Sequence, residues 1–227
     1  MVAVPRLRTA PEPLESGDRL TLAEFERRYE AHPEIKKAEL IDGVVFVASP
    51  VSSHHGEPHL DMAAWLGVYR AAHPGVVGGD NTSMRRRPRT MVQPDLYLRR
   101  VDGTAILSEE GYLESGPELV AEISNTTASY DLHSKMEVYR RAGVQEYIVW
   151  RVYDGAIDWF ELKDGRYARI EPDERGVIES RVFPGLRLAV GKMLAGDLAG
   201  CSKSSAAETA ARRLARSSWL PRGWPDP

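Results

Sequence analysis

The stretch from Gly116 to Trp150 constrains this chain more than any other. Gly116-Pro117 is a turn signal, and Glu118-Leu119-Val120-Ala121-Glu122-Ile123-Ser124 follows as a short, largely apolar run. Such a run makes a buried strand, here with a carboxylate near its end. After the polar residues Asn125 to Ser129, the positions Leu132, Met136, Tyr139 and Ala142 recur at helical spacing. Asp131 and Lys135 lie four apart and share one face of that helix. Gly143 ends it, and Glu146-Tyr147-Ile148-Val149-Trp150 reads as a second buried strand. Strand, helix and strand in this order favour a parallel pair with a covering helix, hence an α/β fold. The polar groups collect at the strand end and the helix start, where α/β proteins place ligands and chemistry.

The remaining elements are simpler. Met1 to Gly17, rich in proline and charge, reads as a loose arm. Thr21 and Glu24 form a capping-box pattern that starts a helix over about Leu22 to Ala31. Asp42-Gly43, between the apolar runs of Ala38 to Ala48, predicts a hairpin that carries Glu39. A longer helix is expected from about His54 to Ala72, stopped by His73-Pro74-Gly75. Val76-Val77 starts a strand, Gly78-Gly79-Asp80-Asn81 reads as a turn, and Val92 to Leu98 reads as one strand containing Asp95. Val101 to Ser115 has the weak pattern of a loop. Ile157 to Leu162 and Tyr167 to Ile170 alternate around Asp164-Gly165 and predict a C-terminal β-hairpin. Val177-Ile178 and Leu186-Arg187-Leu188 are expected as short edge strands. Composition changes near Gly200, so the chain divides into an arm (1–17), a domain (18–199) and an appendage (200–227), the last with an exposed helix over Ala206 to Ala215.

Composition narrows the function classes. A chain of 227 residues with 42% hydrophobic and 28% charged residues suits one soluble α/β domain. A formal net charge of -3 announces no bulk nucleic-acid binder, although a local basic patch remains open. The single cysteine, Cys201, excludes an intrachain disulfide framework and fits a reducing cytoplasm. Prolines 5, 11 and 13 break any signal-peptide pattern, and no apolar run nears the roughly 20 residues of a membrane helix.

Asp95 and Glu122 each lie in an otherwise apolar run. A buried carboxylate needs a partner or a metal. Two such acids on neighbouring strands would make an oxygen-rich site for a hard divalent cation, with Lys135 beside it. The same spacing also allows a capped turn at Asp95 and a structural Glu122–Lys135 bridge. His55 and His59, four apart with His54 adjacent, could hold zinc only with a third ligand. Arg85, Arg86, Arg87 and Arg89 could contact phosphates or form a solvated hairpin. Trp150, Tyr153, Trp159 and Phe160 are most simply packing residues, with a homodimer face as the alternative.

Six segments in this order carry a resemblance: Glu39-Leu40-Ile41-Asp42-Gly43; Ser49-Pro50 with His55-Gly56; Pro94-Asp95; Glu122-Ile123-Ser124; Asp131 through Lys135 to Tyr139; and Gly143-Val144-Gln145-Glu146-Tyr147. Together, over about Leu20 to Leu198, the chain resembles the Uma-two family of restriction-endonuclease-like proteins, within the PD-(D/E)XK nuclease superfamily. The resemblance implies a mixed β-sheet flanked by helices and Mg²⁺- (or Mn²⁺-) dependent hydrolysis of DNA phosphodiesters. It casts Asp95 and Glu122 as metal-binding catalytic acids and Lys135 as the catalytic lysine. Glu39, His55 and Asp131 take supporting positions, and Arg85, Arg86 and Arg87 are candidates for nucleic-acid contact. The superfamily's usual lysine, two residues after the second acid, is replaced here by Ser124. Lys135 then fits a role migrated to the next helix. The rival reading is a catalytically inactive nuclease fold that binds DNA or protein.

Overall fold

The computed structural model describes residues 11–125 and 128–201. Helix α1 (Leu22–Ala31) is capped by Thr21, whose hydroxyl accepts the Glu24 N–H at 3.3 Å. Strands β1 (Ala38–Ile41) and β2 (Val44–Val47) turn through Asp42 and Gly43, at φ 49° and 87°. These are the two left-handed positions that a tight Asp-Gly hairpin requires. Helix α2 (Ser53–Ala72) leads to β3 (Val76–Asp80), β4 (Met84–Arg86), β5 (Thr90–Val92), β6 (Leu96–Arg100) and β7 (Leu119–Ser124). The next helix has three parts: α3 (Ala128–Tyr130), a π-helical turn (Asp131–Lys135) and α4 (Met136–Ala142). Gly143, at φ 79°, closes it. Strands β8 (Glu146–Arg151), β9 (Ala156–Lys163), β10 (Arg166–Arg169), β11 (Val177–Glu179) and β12 (Arg187–Ala189) precede α5 (Val190–Leu194).

The strands form three sheets. The main one runs β10-β9-β8-β7-β6-β3, with β7 and β8 parallel and every other pair antiparallel. A smaller sheet, β2-β1-β5-β4, stands beside it. The expected mixed sheet, flanking helices and C-terminal hairpin are all present.

Strand alternation sorts the two faces of the main sheet. Leu119, Ala121 and Ile123 of β7, with Ile148 and Trp150 of β8, join Met62, Trp65, Leu66 and Tyr69 of α2 in one core. Val120, Tyr147 and Val149 face the other way, towards Val138 and Tyr139 of α4. Glu122 shares the parity of Val120, so it is delivered to the α4 side. Burying each large apolar side chain contributes about 1.5–3 kcal/mol, which holds the strand register firmly.

Four expectations need correction. The run Val92 to Leu98 is not one strand: β5 belongs to the small sheet and β6 to the large one, and Gln93-Pro94-Asp95 is the step between them. Gly78, Gly79 and Asp80 lie within β3 rather than in a turn. A Cβ on Gly79 would stand 2.7 Å from the Tyr97 ring, so glycine here lets that ring lie against the strand. β11 and β12 pair with each other instead of edging the main sheet. The described part of the N-terminal arm is anchored: Leu14 is buried, and the Gly17 N–H donates to the Val45 carbonyl at 2.9 Å.

At the other end, Cys201 is buried in the main core. The helix expected over Ala206 to Ala215 lies outside the described residues, as do residues 1–10 of the arm. No helix among the described residues is long and apolar enough to cross a membrane.

Candidate active site

The step from β5 to β6 leaves Asp95 between the two sheets, with its side chain only 5% exposed. Its Oδ2 accepts the backbone N–H of Ile123 at 2.9 Å, which fixes it against the end of β7 beside Glu122. Its Oδ1 receives the ammonium of Lys37 at 2.8 Å. His55 Nε2 stands 3.8 Å from Oδ2, and His59 Nε2 lies 3.2 Å from the Asp95 backbone carbonyl. The two imidazoles stack, with ring centroids 5.9 Å apart, and are occupied with Asp95 rather than arranged around a zinc ion.

Glu122, 3% exposed, meets Lys135 Nζ at 2.6 Å and accepts a hydrogen bond from the Tyr139 hydroxyl at 2.6 Å. Lys135 also stands 3.1 Å from Glu39 and 3.8 Å from Asp131. The π-helical turn supplies Asp131 and Lys135, and π-turns occur frequently at functional sites. Tyr147 donates to the Asp131 carbonyl at 2.9 Å and ties that turn to β8. Glu39, on β1, accepts the Gln93 N–H at 2.7 Å. The predicted residues Glu39, His55, Asp95, Glu122, Asp131 and Lys135 therefore line one cavity of about 300 Å³.

Lys37 and Tyr139, which contact Asp95 and Glu122, are positions that the sequence reading does not single out as site residues. Lys37 lies two residues before Glu39 on the same extended segment, so strand alternation places both side chains on one face. Tyr139 is one helical turn beyond Lys135 and was read as a packing residue.

Four carboxylates (Glu39, Asp95, Glu122 and Asp131) face two ammoniums (Lys37 and Lys135), which leaves two formal negative charges in excess. Burial pushes the Glu122 carboxyl up; Lys135 opposes this, but Asp95, Asp131 and Glu39 add to it, and the balance lies at about 8. Burial acts the same way on Asp95, yet Lys37, Lys135 and the Ile123 N–H outweigh it and hold that carboxyl below its usual range. Burial draws Lys135 down, but the acids around it win and keep it well above an ordinary lysine. The acids around Lys135 thus favour its protonated form.

Among the described residues no group of three His, Cys, Asp or Glu side chains converges to hold a metal unaided. Mg²⁺ does not demand one, because it keeps several waters and is commonly held by one or two carboxylates plus substrate phosphate. Asp95 and Glu122 are hard oxygen donors, and a divalent cation between them would displace the proton that burial leaves on Glu122. The donor set fits.

The predicted arginines separate. Arg85, 14% exposed, turns back to Glu26 at 2.8 Å and stacks over Tyr112 at 3.7 Å. Arg86, Arg87 and Arg89 are exposed and, with Arg141, surround Asp42 in an open hollow of about 330 Å³. Of these only Arg141 is paired to Asp42, at 2.8 Å.

The family described as "Putative restriction endonuclease" (Uma2) matches residues 22–191, three quarters of the chain. The chain belongs to the Uma2 family. A solved relative in shape is described as "a putative nuclease belonging to DUF820 from Anabaena variabilis". It aligns with a TM-score of 0.62 at 14% identity, covering 78% of this chain and 98% of that one, and shows that the two share a fold. No curated protein matches the chain. For a Uma2 chain the matched span holds all six cavity-lining site residues named from the sequence.

Proposed function

We propose that this Uma2 protein is a metal-dependent endonuclease that hydrolyses DNA phosphodiester bonds, with Asp95, Glu122 and Lys135 as its catalytic residues. The observation that carries the reading is the Lys135–Glu122 contact of 2.6 Å beside Asp95, in a cavity where carboxylates outnumber ammoniums. A structural ion-pair network seldom gathers more buried carboxylates than ammoniums, because an unpaired buried charge is costly. Asp95 and Glu122 would hold Mg²⁺ or Mn²⁺. Such an ion lowers the pKa of a bound water and offsets charge that develops on a scissile phosphate.

The side chains divide the remaining work. Lys135 keeps its proton and so is no general base; it is a fixed positive charge that orients the attacking water or neutralises the phosphate. Glu39 and Asp131 hold Lys135 from two further sides and prevent it from swinging out. Tyr139 fixes the Glu122 oxygen that also meets Lys135. Lys37 pairs with the opposite acid and would meet the phosphate from the Asp95 side. The exposed Arg86 and Arg87 would add backbone phosphate contacts outside the cavity. The reading places the protein in the reducing cytoplasm, which one cysteine fits.

Cleavage of supercoiled plasmid with Mg²⁺ or Mn²⁺ tests it, wild type beside Asp95→Ala and Lys135→Met. Metal-dependent nicking lost in both variants is the expected result. Binding without cleavage on every DNA form would establish the inactive binding module instead.

A further inference from the structure

The acids of the cavity form its floor, and its upper walls have another chemistry. Phe46 and Tyr130 meet edge to face, with ring centroids 4.4 Å apart, at one side. Tyr130 remains 39% exposed and Val51 72% exposed, so apolar surface is left open at the rim. Asn125 also lines the cavity, and its side-chain carbonyl oxygen is buried without a hydrogen-bond partner among the described residues. A buried acceptor of this kind is open to a donor from outside the chain.

Depth is the second constraint. Asp95 and Glu122 are 5% and 3% exposed, so a phosphate must enter the cavity to reach them. A duplex presents its phosphates on a rigid cylinder whose bases stay stacked inside. A strand without a partner is thin enough to enter and brings an unstacked base with each phosphate. Enzymes that act on extruded nucleotides receive the base between aromatic or apolar side chains and read its edge by hydrogen bonds.

We infer that the cavity takes one nucleotide of an unpaired DNA strand, with its base against the Phe46–Tyr130 wall and a base N–H donated to Asn125 Oδ1. The inference rests on the hydrolytic reading of the cavity floor and adds the substrate class: single strands, flaps or frayed ends in preference to intact duplex. Phe46 on β2 is the cross-strand partner of Glu39 on β1, and Tyr130 of α3 directly precedes the π-turn that carries Lys135. Base and phosphate would therefore be positioned by one unit.

The test measures binding by the wild-type chain, in Ca²⁺, of a labelled single strand and of the same sequence as a blunt duplex. A single 2-aminopurine in the strand reports stacking. The single strand should bind at least about tenfold more tightly, with quenched 2-aminopurine. Tyr130→Ala should erase both the preference and the quenching, and Tyr130→Phe should restore them; Tyr130 is partly exposed, so neither change threatens the fold. Equal affinity for both forms, or a preference that survives Tyr130→Ala, would overturn the inference. A parallel Mg²⁺ cleavage assay separates the two ideas. Duplex nicking that is identical in wild type and Tyr130→Ala leaves hydrolysis standing and removes the base site. A Tyr130-dependent strand preference with no cleavage of any DNA does the reverse.

Discussion

Two charged hollows of this protein use the same chemistry in opposite proportion. The cavity sets four carboxylates and two ammoniums together, with Asp95, Glu122, Asp131 and Lys135 buried and Lys37 and Glu39 partly so. The arginine hollow sets Arg86, Arg87, Arg89 and Arg141 around Asp42, with all five side chains exposed. Burial makes the difference. In the cavity, charges shift one another's protonation and their contacts have fixed geometry; in the hollow, water and salt screen them, and exposed pairs contribute at most about 1 kcal/mol. A change of charge should therefore be felt as lost chemistry in one place and as weakened, salt-sensitive binding in the other.

The largest effect expected is on cleavage. Lys135→Met should lower the rate by roughly 10³-fold, the scale on which removal of a preorganised charge-stabilising donor acts. Its stability should fall less than the 3–5 kcal/mol typical of a broken buried pair, because Glu122 can take up a proton. Plasmid nicking and thermal melting measured on one preparation check both halves. Next comes metal. Saturation with Mn²⁺ at about 100 times its Kd should stabilise the wild type by about 2.7 kcal/mol, and Asp95→Asn should remove that gain. An equal gain in Asp95→Asn would move the metal elsewhere.

The pH dependence without metal sharpens the comparison further. The Glu122 carboxyl is pushed from 4.5 up to about 8 in the folded protein, so the fold binds this proton more tightly than the unfolded chain does. The resulting stabilisation is complete below about 4.5 and is lost as pH rises through about 8. Melting temperatures across that window should fall in the wild type and fall less in Glu122→Gln. The arginines should behave differently from this and from each other. Arg85→Ala strands Glu26 and Tyr112 and should cost about 1–2 kcal/mol, read by denaturant melts. Arg86→Ala with Arg87→Ala should leave stability unchanged and reduce the salt slope of DNA binding by about one per arginine. A stable Arg85→Ala that loses DNA binding would break the division drawn here.

Much of this was legible before any coordinates. Asp-Gly and Gly143 mark a hairpin turn and a helix end because their φ demands are local, and the β7–helix–β8 unit declares itself by periodicity. Asp95 and Glu122 stand out as charges in apolar runs, and Lys135 by its helical spacing from Asp131 and by the family resemblance. What escaped depends on position across the fold. Nothing local says that Gln93-Pro94-Asp95 crosses from one sheet to another, since either strand alone fits the pattern. Lys37 looks like any surface lysine until Asp95, 58 residues away, is brought to it. Arg85 and Arg86 are neighbours of like charge, yet strand alternation sends one inward to Glu26 and leaves the other in solvent. The helix was read as regular, because apolar spacing does not reveal the extra residue of a π-turn.

The crossing at Asp95 has a mechanical consequence. Lys37 and Glu39 ride on the small sheet, whereas Glu122 and Lys135 ride on the large sheet and its helix. The Lys37–Asp95 and Lys135–Glu39 contacts are thus rivets between two plates, and whatever settles in the cavity tightens or loosens the seam. Ligand occupancy should then be read in hydrogen exchange: amide hydrogens of the β1–β2 hairpin, which carries one side of the seam, would exchange more slowly when the seam is closed.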